Sequence, residues 1–352
     1  MTKHNLYKFM AVFISLFILS GCWDNKDIDK RVLPLVMGIS KKNTEGYKVT
    51  LQIPIPEQNG QISRVVTGQG GTVASVLGKI RVNSEYAVDY SHIGLIIINK
   101  KLGTNQQEMK GIIKFLMKSG EVPTKAMVAI TDDNINNVLT NINKRLGINA
   151  TSLFDYFNKG AGWAPEISRT PIWEVYQSLF SYTKDIAVPV VRSGKNTVLR
   201  YDGSAILKNG EIIGKISPDE TQIYNIFQNQ GASGKTETFD FTSVMVSDSS
   251  LQHKLLMKEN KPSLSFHLNL GITILEKKEG LNDKKVKEKL EKVIENRFYN
   301  MLKQSQKKKI DLFGFGQYFR NQIPYNELKD WRTKYYPNLN VDFKVNAYLE
   351  NV

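Results

Sequence analysis

The chain opens on one long apolar run, Phe9 to Leu19 (FMAVFISLFIL), interrupted only by Ser15. At about eleven residues it falls well short of the roughly 20 that cross a bilayer as a helix. Beyond it the pattern breaks into short amphipathic pieces. Val32 to Ser40 (VLPLVMGIS) is apolar, and Tyr47 to Ile55 alternates, with Val49, Leu51, Ile53 and Ile55 sharing one side. The stretch from Lys42 to Gly46 between them suits a hairpin turn. Val73, Val76, Leu77 and Ile80 recur at helical spacing, which predicts a helix over 72–83 capped by Thr72. Ile93 to Asn99 (IGLIIIN) is short, apolar and β-branched, as a buried strand would be. A helix over about 105–118 follows, then a strand over 126–131. A second helix then starts with Asp132 or Asp133 as its cap.

Residues 147–171 are rich in Gly, Ala and aromatics and contain Pro165 and Pro171. They read as a short helix and a loop ahead of a helix over 172–182. Pro189 to Lys195 reads as a linker. From Val198 the texture changes to hairpins: Ser204 to Leu207, a turn at Lys208, Asn209 and Gly210, then Glu211 to Ile216. Ser217-Pro218-Asp219-Glu220 is a helix start with proline at the first helical position. Thr238 to Val246 and Ser263 to Glu276 alternate as strands, and Asp283 to Gln306 is the clearest helix. Its stripe is Val286, Leu290, Val293, Ile294, Met301 and Leu302, and Lys307, Lys308 and Lys309 lie where the helix dipole favours positive charge. Val341 to Leu349 would close a sheet. Without a sustained βαβ repeat, the order predicts an α+β fold of two to three mixed α/β domains, with mixed or antiparallel sheets packed by helices. The expected division is 1–21, a cleaved signal peptide, then 22–195, itself divisible into two subdomains, and 196–352.

The flanks of the first apolar run supply its chemistry. Lys3 and Lys8 form a basic start, and the run ends on Leu19-Ser20-Gly21-Cys22. This reads as a lipobox, with cleavage between Gly21 and Cys22 and lipid on the Cys22 thiol. A diacylglyceryl group carries two chains, enough for stable anchoring at about 0.8 kcal/mol per buried methylene. Cys22 is the only cysteine in 352 residues, which excludes an intramolecular disulfide, thiol catalysis and a thiolate metal site. The formal charge of +14 becomes +12 once Lys3 and Lys8 leave (14 − 2), since residues 1–21 contain no acid. Such a body is drawn to anionic lipid heads and acidic wall polymers, whereas export separates it from nucleic acid.

Elsewhere the expected chemistry is sparse. Gly231 to Thr236 (GASGKT) resembles the end of a phosphate loop, but Asn229 stands where its first glycine belongs, so a flexible turn is the reading. Gly68-Gln69-Gly70-Gly71 reads as a tight turn before a helix rather than an anion cradle. His92, His253 and His267 form no metal-binding spacing, and His92 suits a structural hydrogen bond. Ser152 and Ser204 have no obvious base beside them. Phe313 and Phe315, flanked by Gly314 and Gly316, read as core plugs, and Lys307 to Lys309 as a solvated helix end. No catalytic residue, cofactor or metal ligand is expected.

Cys22-Trp23-Asp24 after the lipobox, then Asp27-Ile28 and Met37-Gly38-Ile39, resemble the start of the Ger(x)C family, the C subunits of spore germinant receptors. The resemblance continues through Gly70-Gly71-Thr72, His92 ahead of its strand, Gly203 to Gly210, Gly214, Glu220, Asp311 to Gly316 (DLFGFG) and Trp331. Lys118 departs from it, because the family tends to carry Arg there. Membership implies separate mixed α/β domains without a known catalytic site. It also implies an A subunit with membrane-spanning segments and a transporter-like B subunit as partners, at the outer surface of the inner spore membrane. The competing readings are a substrate-binding lipoprotein of a transporter, which usually shows two repeated βαβ lobes, and a lipid-anchored wall enzyme, which needs an acid/base pair or a metal cluster.

Overall fold

The computed structural model describes residues 30–42, 46–57, 60–146, 156–161, 163–258 and 261–350. Gly21, Cys22 and Ser152, residues 23–29 with Trp23, Asp24, Asp27 and Ile28, most of the 42–46 turn and the start of the 147–171 segment lie outside them. In chain order the elements begin with β1 (Arg31–Val32), β2 (Val36–Lys41), β3 (Tyr47–Glu57), β4 (Gly60–Gly70), α1 (Val73–Val82), β5 (Ala87–Val88) and β6 (Leu95–Asn99). Next come α2 (Gln106–Lys118), β7 (Met127–Thr131), α3 (Ile135–Leu146), α4 (Ile172–Ser178), β8 (Ile186–Ser193), β9 (Leu199–Lys208) and β10 (Glu211–Ile216). The chain continues with α5 (Pro218–Phe227), β11 (Thr236–Phe239), β12 (Thr242–Lys258), β13 (Lys261–Glu276), α6 (Asp283–Lys308), α7 (Tyr325–Leu328) and β14 (Asn340–Leu349).

The mixed α/β character is as expected, and the central sheet has more parallel pairing than the sequence suggested. Eight strands lie in the order β10-β9-β8-β7-β6-β2-β3-β4. The middle four, β2, β6, β7 and β8, run parallel, with Met37 opposite Ile96, Ile97 opposite Ala129 and Ile130 opposite Val190. Antiparallel hairpins flank them at both edges. Both faces are covered, which is why Leu95 to Ile98 are all buried and the strand reads as a continuous apolar run. Ile96 and Ile98 join the core under α1, α2 and α4, while Leu95 and Ile97 face α3.

The second sheet, β11-β12-β13-β14, carries α6 on one face. Val286, Leu290, Ile294, Phe298, Met301 and Leu302 meet Phe266, Leu268, Phe343 and Val345 there. The helix also closes the outer edge of β14. Glu291 and Glu295 accept the Ala347 and Val345 N–H groups at 2.8 and 3.0 Å, and the Tyr299 hydroxyl accepts that of Phe343 at 2.9 Å. Their spacing of four puts the three acceptors on one helix face.

Several expectations change. The segment expected as a linker, 189–195, is largely strand β8. Pro189 sits at a register irregularity against β9, where a missing N–H is tolerated, and the flanking valines are buried. Gly68 and Gly70 belong to strand β4, not to a turn. A Cβ on Gly68 would come within 2.9 Å of Ile80 and Val76, so the missing side chain lets α1 lie close. The strand expected over 238–246 is a tight hairpin, because Asp240 and Phe241 both adopt the left-handed conformation, and β12 then runs on to Lys258. The helix after β7 is capped by Asn134, which accepts the Asn136 N–H at 3.0 Å, rather than by Asp132 or Asp133. The helix expected over 172–182 ends at Ser178.

Candidate functional site

Two polar constructions stand out from the packing. The first is a crevice of about 570 Å³ at the carboxyl ends of β2, β6 and β7. From β2 the chain leaves towards β3, and from β6 it leaves towards α2 and β7. Diverging exits of this kind open a crevice at the strand ends in open α/β sheets. Gly38 shapes one wall: a Cβ there would overlap the Ile135 side chain, so its absence lets α3 begin directly over the end of β2. Asp132 and Asp133 turn outward from capping into this region. Asp132 pairs with Arg192 at 2.8 Å and Lys100 at 3.6 Å. Asp133 accepts the Ser193 N–H at 2.8 Å, and its carbonyl accepts from the Asn99 amide at 3.2 Å. A smaller hollow of about 340 Å³ continues beyond Asp133 along the end of β8, lined by Arg192 and Arg200 among others.

The second is a buried knot that ties the start of β8 to the segment after α6. Asp185 and Asp311 bond to each other twice: the Asp185 N–H donates to the Asp311 carbonyl and the Asp311 N–H to the Asp185 carboxylate, both at 2.8 Å. The Arg332 guanidinium grips Asp185 with two bonds of 2.8 and 3.0 Å and reaches the Ser181 and Lys184 carbonyls. The Asp311 carboxylate accepts from Phe315 N–H (2.8 Å), Gly316 N–H (2.7 Å) and the Trp331 indole (2.8 Å). Gly316 is obligatory, since a Cβ would come within 2.6 Å of the Trp331 ring. Both carboxyls are fully buried. Burial pushes Asp311 up to about 7, against the pull of those N–H donors and with Asp185 adding to the rise. Burial raises Asp185 as well, with Arg332 opposing it.

The remaining candidates resolve into structure. Phe313 and Phe315 are 3% and 0% exposed and pack on Phe227 and Phe298. Lys235 of the phosphate-loop look-alike is buried against Glu166 and Asp219, at 2.8 and 2.9 Å. Ser204 lies in a buried hydroxyl cluster with Ser168, Tyr201 and Thr221. His92 is exposed and lies 3.2 Å from the hydroxyl of its neighbour Ser91. Lys307 to Lys309 are exposed, and Lys309 ends α6 in the left-handed conformation. Among the described residues no group of three or more His, Cys, Asp or Glu side chains could hold a metal ion. Sequence reasoning quoted Asp311, Gly316 and Trp331 as motif but missed Asp185 and Arg332. Neither has a local pattern, and they meet the motif only through the fold.

Comparison with known proteins gives these features a family. The model for a spore germination protein N-terminal domain matches residues 24–193, and that for the spore germination B3/GerAC-like C-terminal domain matches 202–352. Spore germination protein KC of Bacillus subtilis (strain 168) is 24% identical over 97% of this chain and 94% of its own. Spore germination protein GerQC of Bacillus cereus is 22% identical over 93% of each. The crystal structure of the GerBC protein shares the fold, covering 90% of this chain and 97% of its own with a TM-score of 0.56 at 18% identity. With both halves matched in order, the chain belongs to the Ger(x)C family of spore germination proteins.

Proposed function

We propose that this chain is the lipid-anchored, non-enzymatic C subunit of a nutrient germinant receptor. The observation that carries the reading is Leu19-Ser20-Gly21-Cys22, placed directly before a chain whose two halves match the family in order. Residues 1–21 are removed, Cys22 receives the diacylglyceryl group, and the mature parts are 22–195 and 196–352. The body lies on the outer face of the inner spore membrane, where its partners are the membrane-spanning A subunit and the transporter-like B subunit. Among the described residues no helix is long and apolar enough to cross a membrane; in this reading the lipid on Cys22 makes the attachment. A tether confines the body to a thin layer and raises its effective concentration towards membrane partners. The work of the subunit is contact, and it takes part in triggering germination without a reaction of its own.

The Cys22→Ala chain tests this. It is expected to fold, to leave the membrane fraction and to lower nutrient-triggered germination. Full membrane retention together with normal germination would overturn the reading.

A further inference from the structure

We propose that the crevice at the carboxyl ends of β2 and β6 binds a free small oxyanion, a carboxylate or phosphate carried on a polar body. Its volume of about 570 Å³ falls within the range of small-molecule sites, roughly 300 to 1,000 Å³. Of the thirteen lining residues all but Ile135 carry a polar or charged group, and the aliphatic stems of the lysines supply the apolar part of the wall. Ser40, Gln69, Asn99, Asn134 and Asn136 offer hydroxyl and amide groups, with Thr50 at the floor.

Charge decides which class of solute fits. The two carboxylates of the lining are already engaged. Asp132 is held by Arg192 and Lys100, and Asp133 by the Ser193 N–H. Lys41 is matched by Glu108 at 2.7 Å. Lys42, Lys48 and Lys101 line the same crevice and have no ion pair among the described residues. The charges without an ionic partner are three ammonium groups against the single Asp133 carboxylate, a positive balance spread over the ends of β2, β3 and β6. A cation would meet one acid without a cationic partner, Asp133, and three ammonium groups that repel it. An oxyanion meets ammonium groups that no carboxylate among the described residues pairs with.

The site is framed by strand ends and by the short connections that leave them. Lys48 lies in β3 opposite Ser40 of β2, and Lys101 lies two residues past the end of β6. Asn99 is fixed on both sides, its oxygen accepting the Lys101 N–H at 3.1 Å and its amide donating to Asp133. Lys48 thus stands in a strand, and Lys42 and Lys101 just beyond strand ends, around the hollow. Nothing in this arrangement depends on how the chain is held at a membrane, so it stands or falls separately from the receptor assignment.

Thermal-shift titration of the full chain in detergent, with citrate and with inorganic phosphate at ionic strength balanced by chloride, tests the proposal. The expected result is a saturable rise in Tm with at least one of the two, not given by chloride. The midpoint should weaken at least tenfold in the Lys48→Gln/Lys101→Gln variant. Should that pair lower the ligand-free Tm, the exposed pair Lys42→Gln/Lys101→Gln serves the same purpose. No saturable shift with either anion up to about 50 mM would overturn the proposal, as would an unchanged midpoint in the variants. Competition by phosphatidylglycerol vesicles that requires the same lysines would overturn the assignment to a free solute and place the oxyanion on a lipid headgroup.

Discussion

Asp311 shows how one residue can be both a structural centre and a titrating group. Its unfolded carboxyl loses its proton near pH 4, and burial delays that loss to about 7 in the folded chain. The folded state therefore holds a proton that the unfolded state has lost. The resulting stability is full below about pH 4 and disappears as the pH rises to 7, a change of about 4 kcal/mol. Urea denaturation at pH 5 and pH 8 should show this decline, and Asp311→Asn should flatten it. Asp311→Ala strands three N–H donors in a buried site and should cost about 3–5 kcal/mol. Asp89 works in the opposite sense. Hydrogen bonds from Ser91, aided by Arg31, hold it down at about 2, so its contribution is present above pH 4 and lost as the pH falls through 2. The sequence made Asp311 visible as part of DLFGFG but not its partners, because Asp185 and Arg332 lie 126 and 21 residues away in the chain (311 − 185 and 332 − 311).

At the scale of elements, the local signals were read correctly where the chemistry is local. Thr72 and Ser217 each form a capping box, with Ser75 and Glu220 answering three residues on. Thr72→Ala and Ser217→Ala should each cost about 1 kcal/mol in thermal or urea denaturation. Other elements were misjudged because their reasons are tertiary. Asp133 looks like a cap in sequence, yet Ser193 of β8 claims its carboxylate, and the cap passes to Asn134. The Asp240-Phe241 turn carries no glycine, so nothing in the alternating pattern announced a reversal. The crevice was likewise hidden, since it arises from strand order and not from a motif. Gly38 offers a direct test of that geometry. Gly38→Ala drives a methyl into Ile135 and should destabilise the chain by about 1–3 kcal/mol, measured by denaturation, while displacing the start of α3.

Over the whole molecule, strand β9 binds the two main cores together. Ala205 and Leu207 point into the core beneath α2 and α4, while Ile206 between them joins the aromatic core of the second sheet. The Asp185–Arg332 pair adds a polar tie across the same junction. Arg332→Ala leaves a buried carboxylate without its cation and should lower stability by about 3–5 kcal/mol. Because the cores share a strand, intrinsic fluorescence and circular dichroism should still report one coincident unfolding transition in that variant.

The side chains that α6 lays along β14 have a consequence at a larger scale still. A bare strand margin is a template on which another chain can continue the sheet. Copies crowded on one membrane face, as proposed here, would meet often enough to form such stacks. Glu291, Glu295 and Tyr299 take up the N–H groups that a newcomer would need. The long helix thus guards the protein's individuality in a crowd, a duty separate from its place in the core.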